Sequence, residues 1–332
     1  MCGISGIIRF SGHGDDLAAV RAMNRTLVPR GPDDEGTHQE GAVTLGNRRL
    51  AILDLSPAGH MPMTSAGGGH VVTFNGEIYN HRDLAREMGL GEGDLRTHGD
   101  TEILLHAWER WGEDALDRLV GQFAFAMLER ETGRVWVARD RFGEKPLYYH
   151  HDGDAVAFAS SIPALLQAPW VPRELDPQVL PEYLTMRYVM APRTVLRDVA
   201  KLPPGHVMRV DRGAVTTRRW YAPRFQRARA RGRSTAARVE QFDELFTQAA
   251  RRCLVSDVPV ALFLSDGIDS NGIRAALVQG GHEVPAYTFM PVPGTGSPDL
   301  GGMTADGAVE VRVPADHRVA QMVPAFSSLT EP

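Results

Sequence analysis

The sequence predicts two folded parts of different class: an α+β domain of packed sheets covered by helices, followed by a partial, doubly wound α/β domain. Three observations carry this. The chain has 332 residues, about twice an ordinary single domain. Its first 170 residues alternate short β-prone runs with turn signals, and two helical patterns fall among them. After residue 235 the period changes to helix, continuous apolar run, small-residue loop and helix, the opening of a parallel sheet.

The elements follow in order. Met1–Phe10 is apolar and β-prone, with Gly3 and Gly6 allowing close backbone approach. Asp16–Leu27 reads as a helix, and Ala42–Leu55 and Val71–Tyr79 read as strands. In Thr101–Trp111 the residues Ile103, Leu104, Ala107, Trp108 and Trp111 recur at helical spacing. Gly121–Arg130 and Arg134–Arg139 flank a Glu131–Thr132–Gly133 turn, and Tyr148–Tyr149 and Ala155–Ala159 flank Asp152–Gly153–Asp154, so each pair reads as a hairpin. The α+β domain is expected over 2–170, a Pro-rich connector and Arg-rich linker over 171–234, and the α/β part over 235–332. In the latter, Ala236–Leu254 is an amphipathic helix through Val239, Phe242, Leu245, Phe246 and Ala249. Val258–Leu264 reads as a buried parallel strand, Ser265–Ser270 as the loop after it, and a helix then runs to Gln279. Val284–Met290 and Val309–Val313 are further strands around a Gly-rich stretch, Gly294–Gly307.

Composition narrows the function classes. Hydrophobic residues are 43% and charged residues 23%, which excludes wholesale disorder, and a net charge of −5 speaks against a nucleic-acid partner. Arg224, Arg227, Arg229, Arg231, Arg233 and Arg238 crowd one segment, but no aromatic residue beyond Phe225 interleaves them, so they read as a solvated linker. No run of 18 apolar residues is present, so no membrane span is expected. Two cysteines and no secretory pattern lead to the expectation of a reducing, cytoplasmic setting.

Cys2 directly follows Met1, and so small a residue permits removal of the initiator. Thiol and α-amine would then share one residue. An α-amine with a reference pKa of about 7.7–8 is partly an uncharged base at neutral pH, and a thiol is a strong nucleophile once deprotonated. Other residues each have an ordinary reading when taken alone. Asn75–Gly76 reads as a type I′ turn, Arg49 as a surface cation and Asp100 as a helix N-cap. His60, His98, His150 and His151 lack metal-ligand spacing and read as surface or loop residues.

Set in order, the motifs change these readings. Met1-Cys2-Gly3-Ile4-Ser5-Gly6-Ile7, Arg30-Gly31-Pro32-Asp33, Asn47-Arg48-Arg49-Leu50-Ala51-Ile52 and Gly59-His60-Met61-Pro62-Met63 come first. Asn75-Gly76-Glu77-Ile78-Tyr79-Asn80, Gly99-Asp100-Thr101-Glu102, Ala138-Arg139-Asp140-Arg141-Phe142-Gly143 and Lys145-Pro146-Leu147-Tyr148-Tyr149 follow. This series resembles the glutamine-hydrolysing asparagine synthetase family, whose glutaminase half is a class II, N-terminal-nucleophile amidotransferase. The resemblance implies a four-layer αββα sandwich. It implies Cys2 as nucleophile with its own amine as base, and Asn75 and Gly76 as oxyanion donors. Arg49 would hold the α-carboxylate of glutamine, and Asp100 with Glu77 its α-ammonium group.

Ser265–Ser270 resembles the same family's pyrophosphate loop, Ser-Gly-Gly-X-Asp-Ser. The resemblance implies ATP bound at Leu264, Ser265, Asp266, Gly267, Asp269 and Ser270, with Mg2+ at Asp269. Asp266 stands where the family has a glycine. A carboxylate roughly 4–5 Å from a phosphate charge costs about 3–4 kcal/mol at an effective dielectric of 20. Thr330–Glu331–Pro332 resembles a stretch partway through the family's synthetase domain. The expectation is a truncated domain, completed by a complementary synthetase polypeptide or a second copy of the chain. The function expected is glutamine hydrolysis feeding ATP-dependent amidation of aspartate or a related carboxylic acid. The alternatives are an ammonia-supplying subunit that docks a partner, and a non-catalytic scaffold.

Overall fold

The structure, a computed structural model, describes residues 1–10, 16–225 and 234–287. They divide into two compact units between Pro223 and Arg224. The first unit begins with β1 (Gly3–Arg9), α1 (Asp16–Thr26), β2 (Asp34–Glu40), β3 (Val43–Arg49), β4 (Met63–Thr64) and β5 (His70–Ile78). α2 (His81–Met88), α3 (Asp100–Trp111), α4 (Ala115–Arg118), β6 (Gly121–Glu129), β7 (Arg134–Arg139), β8 (Tyr148–His151) and β9 (Ala155–Ala159) follow. α5 (Ile162–Leu165), α6 (Leu180–Met186), β10 (Val199–Lys201), β11 (His206–Asp211) and β12 (Ala214–Arg219) complete it.

These strands form two six-stranded antiparallel sheets, ordered β10-β8-β9-β1-β3-β2 and β12-β11-β7-β6-β5-β4. The side-chain period of two sorts each strand between two cores. On β1, Ile4 and Ile8 face the other sheet and meet Ala124, Ala126 and Leu128, while Ile7 turns outward onto Val20, Met23 and Leu27 of the α1 layer. On β5, Val71 faces the inter-sheet core, and Val72, Phe74 and Ile78 pack outward on Ile103, Leu104 and Trp108 of α3. Three cores therefore separate four layers, helix, sheet, sheet and helix, as expected for the αββα sandwich.

Several local outcomes differ from the sequence reading. The strand expected over Ala42–Leu55 ends at Arg49, because the Arg49 guanidinium binds the carbonyls of Leu53, Asp54 and Ser56 and so fixes a loop. β2 was not expected, since Asp34–Glu40 has no apolar alternation; as a sheet edge it needs only the ladder to β3. The stretch expected as a connector supplies β10 to one sheet and β11 and β12 to the other. His150, read as a surface or loop residue, is buried on β8, its Nδ1 2.6 Å from the Asp198 carbonyl and its ring against Trp170. Asn75 and Gly76 lie inside β5 instead of forming a turn, and Asp100 is the first residue of α3, whose N-cap is Gly99.

The second unit contains α7 (Thr235–Arg252), β13 (Leu262–Phe263), α8 (Ile268–Gln279) and β14 (Ala286–Tyr287). Ser234 caps α7, its hydroxyl accepting the Ala237 N–H at 3.2 Å. β13 and β14 pair in parallel, as the α/β reading requires. Only two of the residues of Val258–Leu264 pair, and Phe263 is exposed: a two-strand ladder covers one side of each strand. The expected Gly294–Gly307 stretch, Val309–Val313 strand and Thr330–Pro332 motif lie outside the described residues, as do Arg227, Arg229, Arg231 and Arg233.

Candidate active site

The chemistry-bearing residues of the first unit gather at one end of the inter-sheet space. Cys2 immediately precedes β1 and packs against the core that β5 shares with α3. The register Gly3↔Arg48 sets it beside Arg49 on β3. Its sulfur is 3.4 Å from the Leu50 N–H, which it accepts, and 3.6 Å from the Leu50 carbonyl. Burial pushes the Cys2 thiol pKa up, and the nearby charges of Glu77 and Asp100 add to this against the Leu50 hydrogen bond. A thiol so placed needs a base. The same burial lowers the pKa of the amino terminus, here on Met1, and so favours its uncharged form.

Facing Cys2, β5 presents Asn75 and Glu77 on the same inward side as Val71 and Thr73. Asn75 is fully buried, yet neither Oδ1 nor Nδ2 of its amide has a hydrogen-bond partner. A buried amide without partners is destabilising by about 1–3 kcal/mol, so its persistence calls for a ligand. The Tyr79 N–H bonds Val120 across the β5–β6 ladder, so by alternation the Gly76 N–H turns to the opposite edge. On that edge the next such donor, the Ile78 N–H, is taken by Asp100 Oδ2 at 2.7 Å. Glycine at 76 serves the sheet: a Cβ there would lie 2.3 Å from the Gln122 carbonyl.

Two carboxylates close this end. Burial, then the charge of Asp100, raises the Glu77 pKa to about 8. Burial raises Asp100 to about 6 against the N–H groups it accepts. The pair therefore binds protons more tightly than isolated carboxylates do. Arg49, by contrast, spends its hydrogen bonds on backbone carbonyls, and no carboxylate pairs with it among the described residues. Gly59 is packed against that guanidinium, where a Cβ would lie 2.0 Å from Arg49 Nη2. The result is a fixed guanidinium, two carboxyl groups that hold protons tightly, an unpaired amide and a thiol in one unit.

Arg30 and Lys145 stand within the motif series, and the sequence assigns neither a role. Arg30 Nε donates to the Cys2 carbonyl at 3.1 Å, and its buried Nη2 has no partner. Lys145 is 5% exposed, and burial lowers its pKa against the charges of Glu77 and Cys2. The signal available was position: both sit beside glycines or prolines in the same motif series as Cys2.

In the second unit the loop 265–270 joins β13 to the N-terminus of α8. Its hydroxyls are bonded within the loop: Ser265 Oγ and Ser270 Oγ are 3.0 Å apart, and Ser270 Oγ accepts the Ser265 N–H at 3.1 Å. Asn271 Nδ2 donates to the carbonyls of Ser265 and Gly267. Leu264 is buried below, while Asp266 and Asp269 are exposed and place two negative charges where a helix start would otherwise attract an anion. As built, the loop does not fit a bare pyrophosphate. Among the described residues no group of three or more His, Cys, Asp or Glu side chains could hold a metal ion.

Comparison with known families identifies residues 1–221 with the glutamine amidotransferase domain model, two-thirds of the chain. The chain belongs to the glutamine amidotransferase domain family. A second model, asparagine synthase, matches residues 241–301. Asparagine synthetase [glutamine-hydrolyzing] 3 of Bacillus subtilis is 33% identical over 298 residues, covering 87% of this chain and 48% of that one. Asparagine synthetase [glutamine-hydrolyzing] 1 of the same organism is 33% identical over 280 residues, covering 82% and 43%. The chain thus spans about half the length of the curated relatives it matches. A solved structure, glutamine phosphoribosylpyrophosphate amidotransferase from B. subtilis complexed with ADP and GMP, aligns with a TM-score of 0.51 at 18% identity, over 91% of this chain and 69% of that one. That likeness concerns the fold.

Proposed function

We propose that this amidotransferase hydrolyses glutamine at Cys2 to glutamate and ammonia, and that the ammonia serves amide formation of the asparagine-synthetase type. The observation that carries the reading is the unpaired Asn75 amide, fully buried and next to Gly76 on β5. Removal of Met1 exposes the α-amine of Cys2, which takes the thiol proton. The thiolate attacks the side-chain carbonyl of glutamine, and the developing oxyanion accepts hydrogen bonds from Asn75 Nδ2 and the Gly76 N–H. Collapse breaks the C–N bond, and the ammonium form of the Cys2 amine returns its proton to the departing ammonia. A thioester remains, which water hydrolyses to release glutamate and restore the thiol. Arg49 holds the substrate's α-carboxylate through a planar fork of donors, and Glu77 and Asp100 receive its α-ammonium group.

The amide acceptor is aspartate or a related carboxylic acid, in keeping with the name of the curated relatives. The family's synthetase step uses ATP with Mg2+, and in this chain Asp266 puts a negative charge in the loop that would hold the phosphates. Cys2→Ala is expected to abolish glutamate release, and persistent hydrolysis in that variant would overturn the mechanism. Labelling of Cys2 by an electrophilic glutamine analogue separates this enzyme from a scaffold, which would leave the processed thiol unmodified.

A further inference from the structure

The groups that would meet the amino-acid end of glutamine come from distant parts of the first unit. Arg49 ends β3, and Asp100 begins α3. Each depends on a loop: 50–59 curls back on the Arg49 guanidinium, and 96–99 leads into α3. Asp54 joins the two loops. It is 1% exposed, with a φ of +54° in the left-handed region that aspartate tolerates better than most residues.

Backbone and side chain of this one residue serve different loops. The Asp54 carbonyl accepts a hydrogen bond from Arg49 Nη2, beside the Leu53 carbonyl, which accepts from the same nitrogen at 3.0 Å. Oδ1 of its carboxylate accepts the Ser56 N–H at 3.0 Å and the Ser56 hydroxyl at 2.5 Å. Oδ2 accepts the His98 N–H at 3.3 Å, and His98 Nδ1 lies 3.6 Å from the same oxygen. Gly99, the N-cap of α3, sits against it, so that a Cβ at 99 would lie 3.6 Å from Asp54 Cβ. The bonds to Ser56 alone make an ordinary Asx turn, which closes a loop on itself. The contact with His98 has no such local use, since 44 residues separate the pair. A buried carboxylate is costly unless its oxygens are met, and here one is met in the Arg49 loop and the other in the turn ahead of Asp100. A sulfur contact, Thr101 Oγ1 to Met61 Sδ at 3.9 Å, adds a weaker link between α3 and the segment after the Arg49 loop.

We propose that Asp54 is a positioning residue for the amino-acid end of glutamine: its carbonyl fixes Arg49, its carboxylate fixes the turn that delivers Asp100, and so it sets the spacing of the two. This rests on the reading of Arg49 and Asp100 as receptors of the substrate's α-carboxylate and α-ammonium groups. One α-carbon carries both groups, each a single bond away, so the receptors must keep one spacing to bind them together. Asp54 thereby governs preference for an α-amino-acid amide over a simple amide without touching the reacting atoms.

The test is steady-state kinetics of the full chain carrying Asp54→Asn. Asparagine keeps the shape and tolerates the left-handed turn, but it offers a single acceptor oxygen in place of two. KM for glutamine should rise about tenfold or more with kcat within about twofold, the pattern of lost binding with intact chemistry. Preference in kcat/KM for glutamine over glutaramate, which lacks the α-ammonium group, and over 4-aminobutanamide, which lacks the α-carboxylate, should shrink by a similar factor. Iodoacetamide has neither group and should alkylate Cys2 at the parent's rate. A fall in kcat and in alkylation with KM unmoved would mean that Asp54 only stiffens the fold, and it overturns the proposal, as does no change in any of the three. Should Asp54→Asn fail to fold, Ser56→Ala decides. It takes one donor from the carboxylate, keeps the Ser56 carbonyl on Arg49 Nη1, and should raise KM with kcat retained. An unchanged KM there overturns the proposal. Absence of glutamine hydrolysis in the parent chain overturns the glutaminase reading and the proposal with it, a result distinct from hydrolysis with an unmoved KM.

Discussion

At Asn75, stability and chemistry separate. Both amide atoms are buried without protein partners, so they are left for a bound ligand or water to meet. Asn75→Ala should therefore lower kcat for glutamine hydrolysis about 100- to 1000-fold, the usual effect of losing one oxyanion donor, while leaving the melting temperature unchanged or raised. Steady-state kinetics and thermal unfolding on the same preparation check both halves. Glu77 carries a similar conflict. Its pKa is raised to about 8 in the folded chain, well above the unfolded carboxylate range. A raised carboxylate contributes stability below its unfolded pKa and loses it as pH climbs through the folded value. The empty protein should thus lose stability between about pH 5 and pH 8, and Glu77→Gln should remove much of that slope. A melting temperature higher by about 2–4 °C than the parent at pH 8.5, equal at pH 5, corresponds to roughly 1 kcal/mol for a unit of this size. Identity of most site residues was legible in sequence because the motif order carried it. Lys145 and Arg30 were not, because their place at the site depends on burial, which no local pattern displays for a charged residue.

The elements that place these residues were legible where side chains alternate or recur. The β6–β7 hairpin, α3 and β1 are rich in apolar residues and follow the sequence reading within a residue or two. β2, α2 and β10 to β12 escaped it because they are polar or short, and the sheets they join supply the pairing that their own side chains do not specify. Asn75–Gly76 shows the opposite error, a turn signal overruled by tertiary pairing along the whole of β5. Gly76 is one of the positions at which the two strands leave no room for a side chain. Gly76→Ala would put a methyl group 2.3 Å from the Gln122 carbonyl, and backbone cannot yield as a side chain can. The substitution should destabilise the first unit by about 1–3 kcal/mol and lower glutaminase activity with it, read as a fall in urea midpoint. Retained stability would mean that β5 and β6 slide apart more freely than their ladder indicates.

On the scale of the whole molecule, every group invoked for glutamine hydrolysis lies between Cys2 and Asp100, inside the first of the two compact units. The loop 265–270 belongs to the second. Glutamate release should therefore proceed without nucleotide, and Asp266→Gly should leave its kcat and KM unaltered. The same substitution removes one of two negative charges at the start of α8, so it should strengthen binding of ATP with Mg2+, about tenfold for each 1.4 kcal/mol of repulsion relieved. One incubation with glutamine, ATP, Mg2+ and aspartate, followed for glutamate and AMP together, reads both units at once. Glutamate without AMP in the parent chain, with AMP emerging in Asp266→Gly, would place the block on acid activation in that single carboxylate. Glutamate with AMP in the parent would show that the loop takes the nucleotide despite Asp266, with Mg2+ offsetting the charge. A requirement for ATP before any glutamate forms would contradict the separation of the two chemistries, because every residue invoked for the glutamine site belongs to the first unit.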